Sequence, residues 1–217
     1  MEEAKAQNLI IIGGAEDKKN DCTILKRVVE LAQKGNGEIV IMTAATELAK
    51  EVGNEYTHIF QQLGIKKIDT VNIESREDAN NQYSMELISR ASCIFFTGGD
   101  QLRITSLLGG TKAEHTLMTA FRKGVPIAGT SAGASVMSDT MIVSGEDEDA
   151  PKKCTLKMAP GLGFLKDVII DQHFAQRGRI GRLLTAIAQN PHMLGVGIDE
   201  DTAIHVIPED RFYVLGS

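Results

Sequence analysis

Several features are missing from this chain, and each absence narrows the reading. No apolar run approaches the roughly 20 residues that a membrane helix needs, and the opening MEEAKAQ lacks the apolar core of a signal peptide. Cysteine is scarce: Cys22, Cys93 and Cys154 form an odd, scattered set. With no C-x-x-C pair and no Cys/His cluster, neither a disulfide framework nor a zinc site is indicated. Positive charge is in deficit, with 23 Lys and Arg against 29 Asp and Glu, a net charge of -6 and a pI near 5.4. That balance argues against nucleic acid or an anionic membrane as a partner. Repeats, low-complexity segments and linkers are also lacking. The 217 residues are therefore expected to form a single cytoplasmic α/β domain of ordinary composition, 42% hydrophobic and 24% charged.

What is present is alternation of strand-like and helix-like segments. Residues 8–12 (NLIII) form a compact apolar run stopped by Gly13-Gly14, which reads as a buried strand and a loop. No G-x-G-x-x-G follows, so the glycine pair is a weak dinucleotide signal. Helical spacing predicts helices over 21–33, 47–63, 78–90, 101–108 and 112–123, with strands at 38–43, 65–73, 91–96 and 125–128. Later strands are expected at 168–170, 194–198 and 202–206, a helix carrying Arg177, Arg179 and Arg182 to Gln189, and one more strand from Arg211. Continuous apolar strands alternating with helices predict a mostly parallel sheet covered on both faces, with its site at the carboxyl ends of the strands.

At 125–138 the chain reads VPIAGTSAGASVMS. Gly129 and Gly133 flank Ser131 at minus two and plus two, the G-x-S-x-G nucleophile-elbow pattern. A strand that turns straight into a helix brings those flanking positions together, and only glycine avoids a Cβ clash there. Small residues that merely let a strand pack tightly on a helix would give the same pentapeptide.

A serine needs a base to take its proton and a third group to orient that base. Of the five histidines, His58 and His115 fall inside predicted helices, His205 within a strand and His192 in a turn. His173 alone follows the end of a buried strand, on the sheet edge expected to carry Ser131. Glu200 also lies just past a strand, with Asp199 and Asp201 as competitors, and any of the three could instead cap the turn. The order Ser…His…Glu departs from the Ser…Asp/Glu…His order of α/β-hydrolases. An oxyanion hole needs two N–H donors, which Ala132 and the Gly98-Gly99 turn could supply. The acidic stretch GEDEDAPKK at 145–153, including Glu146 to Asp149, reads either as a solvated loop or as a flap that draws in a cationic substrate.

Four blocks carry a resemblance: TGGDQ at 97–101, GTSAGASVMS at 129–138, DQHF with R-x-R-x-x-R at 171–182, and GVGIDEDTA at 195–203. With the opening IIGGAEDK, they resemble the cyanophycinases, serine peptidases related to aspartyl dipeptidase. The resemblance implies a class I glutamine amidotransferase-like fold, a flavodoxin-like three-layer sandwich. It implies exopeptidase hydrolysis of cyanophycin, a poly-aspartate carrying arginine on each β-carboxyl, to β-Asp-Arg dipeptides. In those roles Ser131 is the nucleophile, His173 the base and Glu200 the orienting acid. Gln101, Asp171, Gln172, Arg177, Arg179 and Arg182 bind substrate, the arginines gripping its carboxylates and Asp171 pairing with its guanidinium. No cofactor or metal is implied.

A homodimer is expected. Members of that family usually continue well past the position matching Ser217, and the strand from Arg211 is expected barely to begin. Truncation, a second chain supplying the C-terminal strands and a shortened relative all fit that departure. The shared GTSAG also admits an α-aspartyl dipeptidase-like enzyme, and the early end a non-catalytic or partner-dependent subunit.

Overall fold

The computed structural model describes residues 8–145, 156–209 and 211–217. The acidic stretch from Glu146 to Asp149, and with it the flap reading, lies outside the described residues.

Alternate side chains of a strand leave opposite faces of a sheet, and the long apolar runs are used in that way. In β1 (Leu9–Ile12), Leu9 and Ile11 enter one core while Ile10 and Ile12 enter another. In β2 (Glu38–Met42), Val40 and Met42 separate from Ile39 and Ile41, and in β4 (Cys93–Phe96), Ile94 and Phe96 separate from Cys93 and Phe95. A strand with no polar face is stable only when both faces are covered. Helices α1 (Thr23–Gln33) and α2 (Ala49–Gln62) cover one face, where Phe95 packs between Tyr56 and Phe60 at ring separations of 4.7 and 5.3 Å. Helices α3 (Gln82–Arg90), α4 (Gln101–Leu108) and α5 (Lys112–Arg122) cover the other.

With β3 (Lys67–Val71), β5 (Ile127–Thr130), β10 (Thr202–Ile207) and β11 (Arg211–Gly216), these strands form a seven-stranded sheet ordered β11-β10-β1-β5-β4-β2-β3. The five strands from β1 to β3 in that order run parallel, and β10 and β11 are antiparallel additions beside β1. The fold class is the expected one, a mostly parallel α/β sheet with helices on both faces. Among the described residues, no helix is long and apolar enough to cross a membrane.

Some expected boundaries move for local reasons. The helix expected over 78–90 divides into a 3-10 turn at Asp78–Asn80 and α3, because the Asn81 side chain caps α3 by accepting from the Tyr83 N–H at 2.8 Å. The strand expected over 65–73 is only β3, an edge strand with mostly exposed or half-buried side chains. The last strand is more than a beginning: β11 pairs with β10 from Arg211 opposite Ile207 to Gly216 opposite Thr202.

The larger correction follows the elbow. Two small sheets stand apart from the main one: an antiparallel pair of β6 (Thr140–Ser144) and β7 (Lys157–Pro160), and a parallel pair of β8 (Val168–Gln172) and β9 (Leu194–Ile198). The strands before His173 and Glu200 therefore belong to a separate sheet, joined by α7 (Ile180–Gln189), rather than to the edge that carries Ser131.

Candidate active site

Ser131 occupies the single residue between β5 and a short helix, α6 (Ala132–Ser135). Its backbone is held at φ 53, ψ -110, which for a residue other than glycine costs on the order of 1–3 kcal/mol and persists only when the surroundings impose it. The surroundings do. Ser131 N–H donates to the Ile12 carbonyl at 3.0 Å, and the Ser131 carbonyl accepts from Ala134 and Ser135 N–H, each at 3.0 Å. A Cβ added at Gly129 would lie 2.5 Å from the Gly133 carbonyl oxygen, and one at Gly133 would lie 2.5 Å from that of Phe96. Strand, elbow and helix are packed too closely for any side chain at either position.

His173 follows β8 with φ 47, and its N–H donates to the Gly13 carbonyl at 2.8 Å. The imidazole lies on Gly14, where an added Cβ would stand 2.5 Å from Nε2. Nε2 is 3.0 Å from Ser131 Oγ, and Nδ1 is 2.6 Å from Glu200 Oε1. A carboxylate can only accept a hydrogen bond, so the proton of the neutral ring sits on Nδ1. The Nε2 lone pair is then directed at the serine hydroxyl.

The choice among the three consecutive acids is made by their other partners. Asp199 Oδ1 accepts from the Ala175 N–H at 2.8 Å, and Asp201 Oδ1 accepts from the Asp17 N–H at 2.8 Å. Glu200 alone of the three reaches His173, and its own N–H donates to Gln176 Oε1 at 3.0 Å. The other histidines do not bond Ser131: His58, His115 and His192 are exposed, and buried His205 pairs through Nε2 with Asn8 Oδ1 at 2.9 Å.

The TGGDQ turn lies beside the serine. A Cβ at Gly98 would be 3.4 Å from Ser131 Cβ and 3.9 Å from its Oγ. Ala132 opens a helix, where the first N–H groups have no partner within the helix itself. Gly99, with φ +144, is seated against the Ala45 carbonyl.

The residues expected to bind substrate divide into two groups. Gln101 Nε2 donates to the carbonyls of Ile142 at 3.0 Å and Val143 at 3.3 Å, tying α4 to β6. Asp171, Gln172, Arg179 and Arg182 are buried together. Arg182 grips both Asp171 oxygens, with Nε to Oδ2 at 2.7 Å and Nη2 on Oδ1. Arg179 Nη1 donates to the Gln172 carbonyl at 2.6 Å and to its Oε1 at 3.0 Å, and stands 3.7 Å from Asp171 Oδ1. Asp171, expected to meet a substrate guanidinium, is thus engaged by an arginine of its own chain. Arg177 is exposed in the turn after His173 and makes no ion pair with the described residues. The helix expected to carry all three arginines begins only at Ile180, with Arg179 at its cap.

One further group near the serine carries no motif in the sequence. Glu16, only 4% exposed, accepts from Thr130 Oγ1 at 2.6 Å and from the Tyr56 hydroxyl at 2.5 Å. Glu16 lies in GGAEDKKND, a polar stretch without a helical or strand period. The signal available was an acid immediately after the turn that ends the most apolar strand.

A serine on a strained elbow, bonded to an imidazole that a carboxylate orients, is the arrangement of a serine hydrolase. The chain belongs to peptidase family S51, whose pattern matches residues 9–214. It is 36% identical over 217 residues to a cyanophycinase of Geminocystis herdmanii, an alignment covering 100% of this chain and 80% of that protein. It is 37% identical over 209 residues to a cyanophycinase of Trichormus variabilis, covering 96% and 70%. The solved structure of a peptidase from an acI-B1 Actinobacterium superposes with a TM-score of 0.74 at 22% identity, covering 99% of this chain and 88% of that one. The last match speaks to the fold alone.

Proposed function

We propose that this chain is a serine-type exopeptidase that hydrolyses cyanophycin to β-Asp-Arg dipeptides through an acyl-enzyme on Ser131. The observation that carries the reading is the hydrogen-bonded series Ser131 Oγ–His173 Nε2–Glu200 Oε1, at 3.0 and 2.6 Å. It occurs in a member of family S51 whose relatives at 36 and 37% identity are cyanophycinases.

In this mechanism Ser131 Oγ attacks the scissile carbonyl while its proton passes to His173 Nε2. The imidazolium so formed is stabilised by Glu200, which accepts the Nδ1–H bond throughout. Negative charge on the carbonyl oxygen is met by the N–H groups of Ala132 and of Gly98, whose turn lies close to Ser131. Collapse breaks the amide bond, and His173 returns the proton to the departing amine. A water molecule then gives its proton to His173 and attacks the ester, which releases the carboxylic acid product and restores Ser131.

Arg177, exposed one turn after His173, is available to a substrate carboxylate. Asp171 in β8, and Arg179 and Arg182 after it, are ion-paired and buried.

The reading is tested by offering the purified chain cyanophycin and, separately, α-aspartyl dipeptides. Soluble β-Asp-Arg from the polymer, with little turnover of the dipeptides, is expected. Turnover of Asp-Xaa dipeptides alone would instead make the chain an α-aspartyl dipeptidase.

A further inference from the structure

The loop after β1 supplies no member of the Ser131–His173–Glu200 series, yet it reaches the segment that carries each one. The Gly13 carbonyl accepts from His173 N–H at 2.8 Å, the Gly14 carbonyl accepts from Asp201 N–H at 2.9 Å, and Glu16 Oε2 accepts from Thr130 Oγ1 at 2.6 Å. The last contact is the unusual one. Glu16 is a buried carboxylate that makes no ion pair among the described residues; two neutral hydroxyls hold it. Such a group contributes little to stability compared with an apolar residue of the same shape. What it fixes is the residue directly before the strained serine.

We propose that Glu16 is a positioning residue for the nucleophile. Through Thr130 Oγ1 it holds the end of β5 so that Ser131 stays at φ 53, ψ -110, with Oγ 3.0 Å from His173 Nε2. The proposal rests on Ser131 being the nucleophile. Two anchors bracket the elbow: the Thr130 side chain on Glu16, and the Ser131 N–H on the Ile12 carbonyl at 3.0 Å. Releasing the first lets the backbone relax toward ordinary φ, which turns Oγ away from the imidazole. On the far side, the Tyr56 hydroxyl from α2 occupies the other carboxylate oxygen. Burial, and then the adjacent Glu16 charge, push that phenol well above its usual range, so it remains a donor.

The test compares Thr130→Val, Glu16→Gln and Tyr56→Phe with the unaltered chain. Each is assayed for unfolding temperature, for kcat and KM on cyanophycin, and for the rate at which a fluorophosphonate labels Ser131, located by peptide mapping. Thr130→Val keeps the shape and loses the hydroxyl. It is expected to lower both labelling rate and kcat on the order of 10²-fold, with KM within about threefold. Glu16→Gln can still accept from Thr130 and is expected to stay within roughly tenfold of the unaltered rate. Tyr56→Phe leaves the Thr130 bond in place and is expected to stay within about threefold. Folded Thr130→Val that labels at the unaltered rate overturns the proposal. So does an equal loss in Tyr56→Phe, which would mark a general loosening of the fold. Failure of the unaltered chain to label at Ser131 would overturn the nucleophile assignment itself, a result distinct from either.

Discussion

Two buried polar clusters flank the candidate triad, and they are built on opposite lines. Beside His173, Asp171 is held by charged donors, with Arg182 on both oxygens and Arg179 at 3.7 Å. Beside Ser131, Glu16 is held by two neutral hydroxyls, from Thr130 and Tyr56. In the first cluster opposite charges meet, so removing the carboxylate takes from two buried guanidinium groups the acidic acceptor they share. In the second, loss of a hydroxyl leaves only an unmet acceptor, but that acceptor is tied to the strained elbow. The lesson is that stability and geometry are supported from different sides of the site.

The strongest test of that contrast is Asp171→Ala. It should destabilise the fold by about 3–5 kcal/mol, because two buried guanidinium groups lose the carboxylate they share; urea unfolding measures it. Thr130→Val should cost less, about 1–3 kcal/mol by the same measurement, while its effect on catalysis is the larger of the two relative to its stability cost. If Thr130→Val proved the more destabilising change, the contrast would be reversed.

A third cluster provides a reference away from the site. Burial, with lesser contributions from Arg27 and Lys34, pushes the His205 imidazole down from 6.5 to about 4. The folded state therefore favours the neutral ring, and the unfolded chain binds the extra proton. The contribution of this group should be fully present above about pH 6.5 and be lost as pH drops toward about 4, by at most about 1.4 kcal/mol per pH unit before solvent screening reduces it. His205→Asn should flatten that slope, which unfolding measured across the same pH window would show. The smallest effect is expected at Arg177→Ala. Stability should change by less than about 0.5 kcal/mol at this exposed position, while KM for cyanophycin should rise roughly tenfold with loss of the proposed carboxylate contact. An unchanged KM would remove Arg177 from the substrate surface.

Much of the fold was legible because β1, β2 and β4 are buried on both faces. Their runs, such as LIII and CIFF, are apolar without a break. The elbow was legible for a steric reason, since close packing around Ser131 leaves room only for glycine at 129 and 133. The short strands β6 and β7 were not legible. They mix polar with apolar residues, only Met141 and Ile142 being fully buried, and a two-stranded sheet imposes little pattern. Nor could spacing say that β8 and β9 leave the main sheet, because a parallel pair joined by a helix reads alike in either place. Within the site, the choice among Asp199, Glu200 and Asp201 depended on contacts some 24 to 184 residues away along the chain. Glu16 was hidden for a similar reason, because its partner Thr130 is 114 residues distant.

The most direct measurement of the central claim is release of soluble β-Asp-Arg from cyanophycin by the unaltered chain and by Ser131→Ala. The unaltered chain should release the dipeptide without added metal, and Ser131→Ala should lose at least roughly 10⁴-fold in rate while remaining folded. Dipeptide release by folded Ser131→Ala at the unaltered rate would contradict the account.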